Sequence, residues 1–173
     1  MKVNKLLIFY LILTSFCLKG SKIADAFEAL SIYDYFKAKK LFYSELKKGH
    51  KSAAAYGLAT IYLRNDNPFF NTDSASKYIS LSGNYFKDLR INESYFGFKI
   101  DSLSILMYAD SIAQKALFKA SKINTTKAYE TFLIANSYAN FQQKFEALYL
   151  RDELSYKANL TYNVSDSTKA VML

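Results

Sequence analysis

The chain has 173 residues, of which 51% are hydrophobic and 22% are charged, and its formal net charge at pH 7 is +8. This balance excludes a disordered chain and supplies enough apolar side chains for the core of one ordinary domain. One proline and five glycines leave few breaks, so the composition favours long helices over a turn-rich sheet protein.

The first twenty residues differ from the rest of the chain. Lys2 and Lys5 precede a predominantly apolar run over residues 6–16, and Gly20 follows. Such a run is typical of an export signal, and as a helix it would rise about 16 Å, too little to cross a bilayer core of about 30 Å. A buried N-terminal helix is the alternative, but polar residues at helical spacing are missing. We therefore predict a signal peptide over residues 1–20 and export to the periplasm or the outer membrane.

Cys17 is the single cysteine, so neither an intrachain disulfide nor a cysteine-rich metal site is available. Its place just after the apolar run leaves two outcomes open. One is a lipoprotein acylated at Cys17, although Phe16 stands where such signals carry a small residue; the other is a soluble product cut between Cys17 and Ala26. Membrane contact is expected only through that lipid anchor.

Four alanines beyond the leader mark a repeat. They are separated by 37, 38 and 34 residues, and they are Ala38, Ala75, Ala113 and Ala147. A large apolar residue follows four positions later in three units, as Phe42, Ile79 and Leu117. Arg151 stands there in the fourth. Residues at this spacing share one helix face, where a small side chain lets a neighbouring helix approach closely. Each marker therefore predicts a packed helix.

An additional amphipathic helix precedes the markers of the second and fourth units, over residues 55–62 and 128–135. We therefore predict hairpins of two antiparallel helices. The run over residues 84–110 shows no first helix of normal length for the third unit.

A second sequence similarity relates residues 118–129 to residues 156–171, with Ala120 and Ala158 38 residues apart. In both, we predict a helix that ends near Lys-Ala, an Asn- and Thr/Ser-rich turn, and a capped restart. The last restart then stops after about two turns. This raises the alternative that the chain is the N-terminal helical part of a larger envelope enzyme or sensor whose active domain lies beyond Leu173.

The stretch "AAAYGLATIYLRNDNPFFNTDSASKYI", residues 53–79, resembles a tetratricopeptide or Sel-like repeat. It has a small-residue first helix closed by Tyr62, a turn, and a second helix that opens with Asp-x-Ala. The first unit, "DAFEALSIYDYFKAKKLFYSEL", resembles it through Ala38 and Phe42. The resemblance implies an all-α fold, an α-solenoid of stacked antiparallel hairpins whose concave face holds peptides. It divides the chain into two hairpins over residues 21–90 and divergent hairpins over residues 91–173.

Candidate catalytic and metal groups are few. The single histidine, His50, has neither an orienting carboxylate nor a nucleophile near it in sequence, and zinc would need more His or Cys. The oxygen donors of "RNDNPFFNTD" fail the calcium-loop spacing because Phe69 and Phe70 occupy ligand positions, so a polar turn is predicted. Gly57 stands alone on a helix, where it favours close packing. We expect no cofactor and no catalysis.

These observations favour a non-catalytic scaffold that binds a protein or peptide. Binding to nucleic acid is disfavoured, because removal of the leader lowers the net charge to about +5. The aromatic residues also recur at helical spacing, which is typical of core side chains. The residues predicted to line a groove are Tyr56, Tyr62, Arg64 and Tyr78, with packing between helices as the alternative for the tyrosines. The bias toward Lys, Asn, Ile, Phe and Tyr, together with the leader, resembles an exported protein of an AT-rich bacterium of the Bacteroidota.

Overall fold

The computed structural model describes residues 21–89 and 93–171, with side chains described over residues 21–87 and 93–161. The predicted signal peptide, and Cys17 with it, lies outside the described residues. Within them the chain forms seven helices and one short strand hairpin, in the order α1 (Lys22–Ser31), α2 (Tyr35–Glu45), α3 (Lys51–Leu63), α4 (Thr72–Leu89), β1 (Glu93–Tyr95), β2 (Phe98–Ile100), α5 (Ser102–Ile123), α6 (Thr126–Ala135) and α7 (Phe141–Val171).

Short polar side chains fix where several helices begin. The N-cap residues of α1, α2, α5 and α6 each accept a hydrogen bond from the backbone N–H three positions on, and they are Ser21, Asp34, Asp101 and Thr125. Asn124 ends α5 in the left-handed region at φ 50°. The turn predicted after Ala120 is therefore present, and Thr125 caps the next helix.

Each helix packs against the next along the chain, and α1 also contacts α3 while α5 contacts α7. The contacts are thus largely between sequence neighbours, as in helical-repeat proteins. The fold is mostly helical and helical-repeat-like, with stacked and paired helices.

The four marker alanines all lie in the interior, on α2, α4, α5 and α7. None is more than 1% exposed, and they are Ala38, Ala75, Ala113 and Ala147. The large residues that follow three of them are buried as well, as Phe42, Ile79 and Leu117. The alanine spacing therefore locates one packed helix per unit.

The third unit departs from the all-α prediction. Where a first helix would stand, β1 and β2 form an antiparallel hairpin in which Tyr95 pairs with Phe98. Phe96 and Gly97 both have positive φ, at 46° and 84°, as in the tight turn that joins twisted strands. The ring of Phe27 on α1 stacks on Tyr95 at 5.1 Å, so the hairpin is held by a helix distant in sequence.

The turn and new helix start predicted within residues 156–171 are wrong. Helix α7 runs without a break from Phe141 to Val171, so no turn forms within residues 156–171 and residues 165–171 continue an existing helix. Thr161 does not cap a new helix, because its hydroxyl donates backward to the carbonyl of Ala158 at 2.8 Å. No glycine or proline interrupts the segment.

Two apolar clusters meet on α5. Ile105, Ala109 and Ile112 belong to the larger cluster, formed with α1 to α4 and β2, whereas the second begins at Ala113 and includes α6 and α7. Helix α5 is therefore common to both halves of the core. Among the described residues, no helix combines the length and apolar character needed to cross a membrane.

Candidate functional site

A groove opens between the α3–α4 loop and the C-terminal half of α5. Its volume is about 640 Å³, and its lining residues are Asn65, Phe70, Asn71, Thr72, Gln114, Lys115, Phe118 and Lys119. A smaller cavity of about 130 Å³ shares Lys119 and extends between α5 and α6. Both cavities lie along α5.

The loop wall of the groove is shaped by asparagine side chains. The amide of Asn67 donates to the carbonyls of Ile61 at 3.0 Å and Arg64 at 2.8 Å, while its oxygen accepts from the N–H of Phe69 at 2.8 Å. The backbone N–H of Asn71 donates to the carbonyl of Tyr62 at 2.8 Å. Asn67 and Asn71 thus stabilise a polar turn, as predicted from the sequence.

Two exposed phenylalanines, Phe70 and Phe118, contribute apolar surface to the groove. Phe70 is 47% exposed and Phe118 is 63% exposed, although aromatic rings of this size are usually buried. Lys115 and Lys119 bring positive charge to the same wall, and Nζ of Lys119 lies 3.4 Å from Oδ2 of Asp73. The groove therefore combines an apolar surface with a basic rim.

The other side of the α3–α4 loop carries an aromatic patch, defined by Tyr43, Tyr62, Tyr78 and Phe69 with Lys39. The rings of Tyr62 and Tyr78 stack at 5.5 Å with an interplanar angle of 5°. The hydroxyl of Tyr43 is 2.9 Å from that of Tyr62 and accepts from that of Tyr78 at 3.0 Å. Nζ of Lys39 lies 3.7 Å from the ring centroid of Phe69, a cation–π contact.

The pKa values of the three tyrosine hydroxyls in the patch are shifted in different directions. Burial and the hydrogen bond with Tyr43 raise the pKa of Tyr78 to about 12 and also raise the pKa of Tyr62. Burial acts upward on Tyr43 too, but hydrogen bonds with both neighbours and the charges of Lys39 and Lys77 outweigh it, so the pKa of Tyr43 is lowered. The Tyr43 hydroxyl therefore lies at the centre of the network and contacts both of the others.

The four residues predicted to line a groove lie in three places. Tyr62 and Tyr78 meet in the aromatic patch. Arg64 lies nearby, with Cζ 4.6 Å from the ring centroid of Tyr33 and Nη2 3.5 Å from Oδ2 of Asp66. Tyr56 is only 7% exposed and packs against Tyr108 at 5.2 Å, so it is a core side chain.

Sequence reasoning missed the residues of the groove. Phe118 carried a usable signal, because it lies off the face of α5 that Ile112, Ala116 and Ala120 define at helical spacing. An aromatic ring on the polar side of an amphipathic helix indicates an exposed apolar contact. Phe70 and Lys119 become neighbours only through tertiary packing.

His50 has a carboxylate partner after all, supplied by a strand distant in sequence. Its Nδ1 lies 3.3 Å from Oε1 of Glu93 on β1, and the hydroxyl of Tyr95 donates to Oε2 of Glu93 at 3.1 Å. The arrangement ties the α2–α3 turn to the strand hairpin. Across the described part of the chain, no three His, Cys, Asp or Glu side chains are grouped as metal ligands.

The fold and the groove define a helical-repeat-like protein with an exposed apolar depression. Comparison with protein-family models, with curated proteins and with solved structures gave no match. The assignment therefore stays at the level of the architecture.

Proposed function

We propose that this chain is a non-catalytic, exported helical-repeat scaffold of the tetratricopeptide or Sel-like kind, an α-solenoid that binds a segment of another protein in the bacterial cell envelope. The groove along α5 is the observation that carries the proposal. Its volume of about 640 Å³ falls within the range of about 300–1,000 Å³ common for small-molecule pockets, enough for one or two side chains of a peptide. Stacked helices supply a rigid frame for it.

The lining of the groove indicates the kind of segment it accepts. Phe70 and Phe118 offer apolar area for one or two aliphatic or aromatic side chains, and aromatic anchors dominate contact energies. Lys115 and Lys119 favour a carboxylate beside those anchors, since complementary charge guides orientation. The expected ligand is a peptide that combines apolar anchors with an acidic residue.

The aromatic patch is a second contact surface for the same partner. Tyr62 and Tyr78 stack on each other, which reduces the ring surface available to a partner, but Tyr43 remains 36% exposed. Arg64 lies beside the patch, on the loop that also bears Phe70. A partner that follows this loop would reach both surfaces.

Selection from a random peptide display library tests the proposal. Enriched peptides should carry an acidic residue near apolar ones and should bind Phe118→Ser and Lys119→Glu at least about tenfold more weakly than the wild type, which corresponds to about 1.4 kcal/mol. Ile134→Ser is the matched control, because Ile134 is 84% exposed on α6 and does not line the groove. Enriched peptides that bind all variants with the same affinity would refute the assignment of the groove as the peptide-binding site.

Localisation is a separate part of the proposal. Cell fractionation should place the chain in the envelope, and Cys17→Ser should release it from membranes if Cys17 is acylated. Membrane association unchanged in Cys17→Ser would exclude the anchor and leave the peptide-binding proposal untouched.

A further inference from the structure

Helix α7 has two apolar faces that point in opposite directions. One face packs against α5 and α6 through Ala147, which is fully buried, and through the partly buried Leu150 and Leu154. The opposite face exposes a stripe of large apolar side chains, which are Phe141, Phe145, Leu148, Tyr149, Tyr156 and Leu160. Their exposed fractions run from 38% to 83%.

The orientation of this face is fixed by the N-terminus of α7. Asn140 and Gln143 form a reciprocal cap, in which the N–H of Gln143 donates to Oδ1 of Asn140 at 2.9 Å and the N–H of Asn140 donates to Oε1 of Gln143 at 3.1 Å. The amide of Gln143 also donates to Oδ1 of Asp110 on α5 at 3.0 Å. Helix α7 is thus held against α5, and the stripe is directed away from the core.

Five of the six stripe residues, together with Asp152 on the same face, have a spacing that is the same in both chain directions. Residues 141, 145, 149, 152, 156 and 160 are separated by 4, 4, 3, 4 and 4 positions, with the midpoint between Tyr149 and Asp152. We propose that this stripe, the α7 stripe, binds the α7 stripe of a second copy of the chain in antiparallel orientation, giving a dimer with twofold symmetry. A twofold interface must be self-complementary in this way, because residue i meets residue j and residue j meets residue i.

The antiparallel pairing places compatible groups opposite each other. Phe141 faces Leu160 of the second copy, and Phe145 faces Tyr156. At the centre Tyr149 faces Asp152, so that each phenol can donate to a carboxylate. A parallel pairing would instead oppose two Asp152 carboxylates, which repel.

Charge favours a second copy over other partners. Residues 141–160 carry three positive and three negative side chains, which are Lys144, Arg151 and Lys157 against Glu146, Asp152 and Glu153. The segment is therefore neutral in a chain whose net charge is +8, so two copies meet here without net repulsion. A nucleic acid or an acidic partner would find no excess of positive charge on this helix.

The size of the stripe is sufficient for a specific contact. Four partly exposed aromatic rings and two leucines offer on the order of 600 Å² per copy, which gives a total above the roughly 1,000 Å² expected of a biological interface. Twenty residues of helix extend over about 30 Å, enough for the contacts to lie along one seam. The groove lies on other helices, so the dimer proposal does not depend on the proposed function.

Sedimentation equilibrium of the full chain tests the association. The wild type should dimerise, and Phe145→Glu should raise the dissociation constant at least about 100-fold, because a charge then replaces a buried aromatic contact. Ile134→Glu should leave it unchanged, since Ile134 is 84% exposed on α6 and lies outside the α7 stripe. Circular dichroism verifies that both variants are folded. A monomeric wild type, or association insensitive to Phe145→Glu, would overturn the proposal.

Cysteine crosslinking tests the orientation. In a Cys17→Ser background, Phe145→Cys mixed with Tyr156→Cys should form a disulfide-linked heterodimer, because the two positions face each other. Phe145→Cys alone should not crosslink, since its two copies would be about 16 Å apart along the seam, beyond the roughly 7 Å limit for Cα atoms. A homodimeric crosslink at position 145 would show a parallel pair and refute the antiparallel assignment.

Discussion

The ring of Phe42 on α2 lies directly on the backbone of Gly57 on α3, so that a β-carbon at position 57 would overlap the ring. Both residues are in the interior, and Phe42 is fully buried. The absence of a side chain at Gly57 is therefore what lets α2 and α3 approach in this unit. The interpretation of Gly57 as a close-packing residue is confirmed.

The substitution Gly57→Ala should lower the free energy of unfolding by up to about 2 kcal/mol, because an overpacking cost of about 1–3 kcal/mol exceeds the roughly 1 kcal/mol that alanine gains in a helix. Phe42→Leu in the same background should restore part of the loss. Urea unfolding measures both. Gly49→Ala is the control, because its new β-carbon meets no atom within 4 Å. An increase in stability for Gly57→Ala would contradict the contact.

Ser52 on α3 and Ser82 on α4 exchange hydrogen bonds across a buried interface. The hydroxyl of Ser52 donates to the carbonyl of Ser82 at 3.0 Å, and the hydroxyl of Ser82 donates to the carbonyl of Ser52 at 2.9 Å. Each serine-to-alanine substitution should lower the free energy of unfolding by about 1 kcal/mol. Since the hydroxyls are also 3.3 Å apart, the double variant should lose less than the sum. Strict additivity in a double-mutant cycle would show that the two bonds act independently.

The strand hairpin depends on the left-handed backbone at Gly97, where φ is 84°. Gly97→Val should lower the free energy of unfolding by about 1–2 kcal/mol, the cost of that conformation for a residue with a β-carbon. Gly97→Asn should cost less, because Asn tolerates positive φ. No atom outside the glycine and its two chain neighbours lies within 4 Å of the added β-carbon, so a difference between the two variants reports backbone strain. Equal losses would argue against the turn geometry.

Alkaline pH should destabilise the fold through Tyr56. Burial and then the charges of Tyr108 and Asp101 raise the pKa of Tyr56 to about 12, whereas an unfolded tyrosine titrates near 10. The unfolded state therefore loses its proton first, and stability is fully present below pH 10 and is lost as the pH rises toward 12.

In Tyr56→Phe this loss should be smaller by about 1–2 kcal/mol, measured by urea unfolding from pH 9 to pH 11.5. Tyr33→Phe is the control, because Tyr33 is 60% exposed. A Tyr56→Phe variant whose stability falls with pH as steeply as that of the wild type would rule out Tyr56 as a source of the alkaline transition.

The helices of the first two units could be predicted because their signals are local. Ala38 and Phe42, or Ala75 and Ile79, lie one helical turn apart, and capping by Asp34 depends on the residue three positions away. The position of Tyr56 could not be predicted, because α3 is buried around most of its circumference, so a repeat position does not indicate a free face. The groove also escaped prediction, because Phe70 and Phe118 are 48 residues apart in sequence.

The amino-acid sequence by itself determined the helical composition, the alanine spacing and the helix starts at capping residues, since each depends on contacts within about one helical turn. The tertiary structure decided the rest. The stacking of Tyr95 on Phe27 places a strand hairpin where the repeat predicted a helix. The packing of α7 against α5 leaves one face of an unbroken helix exposed. Both outcomes depend on residues far apart in the chain, whose mutual contacts no local pattern encodes.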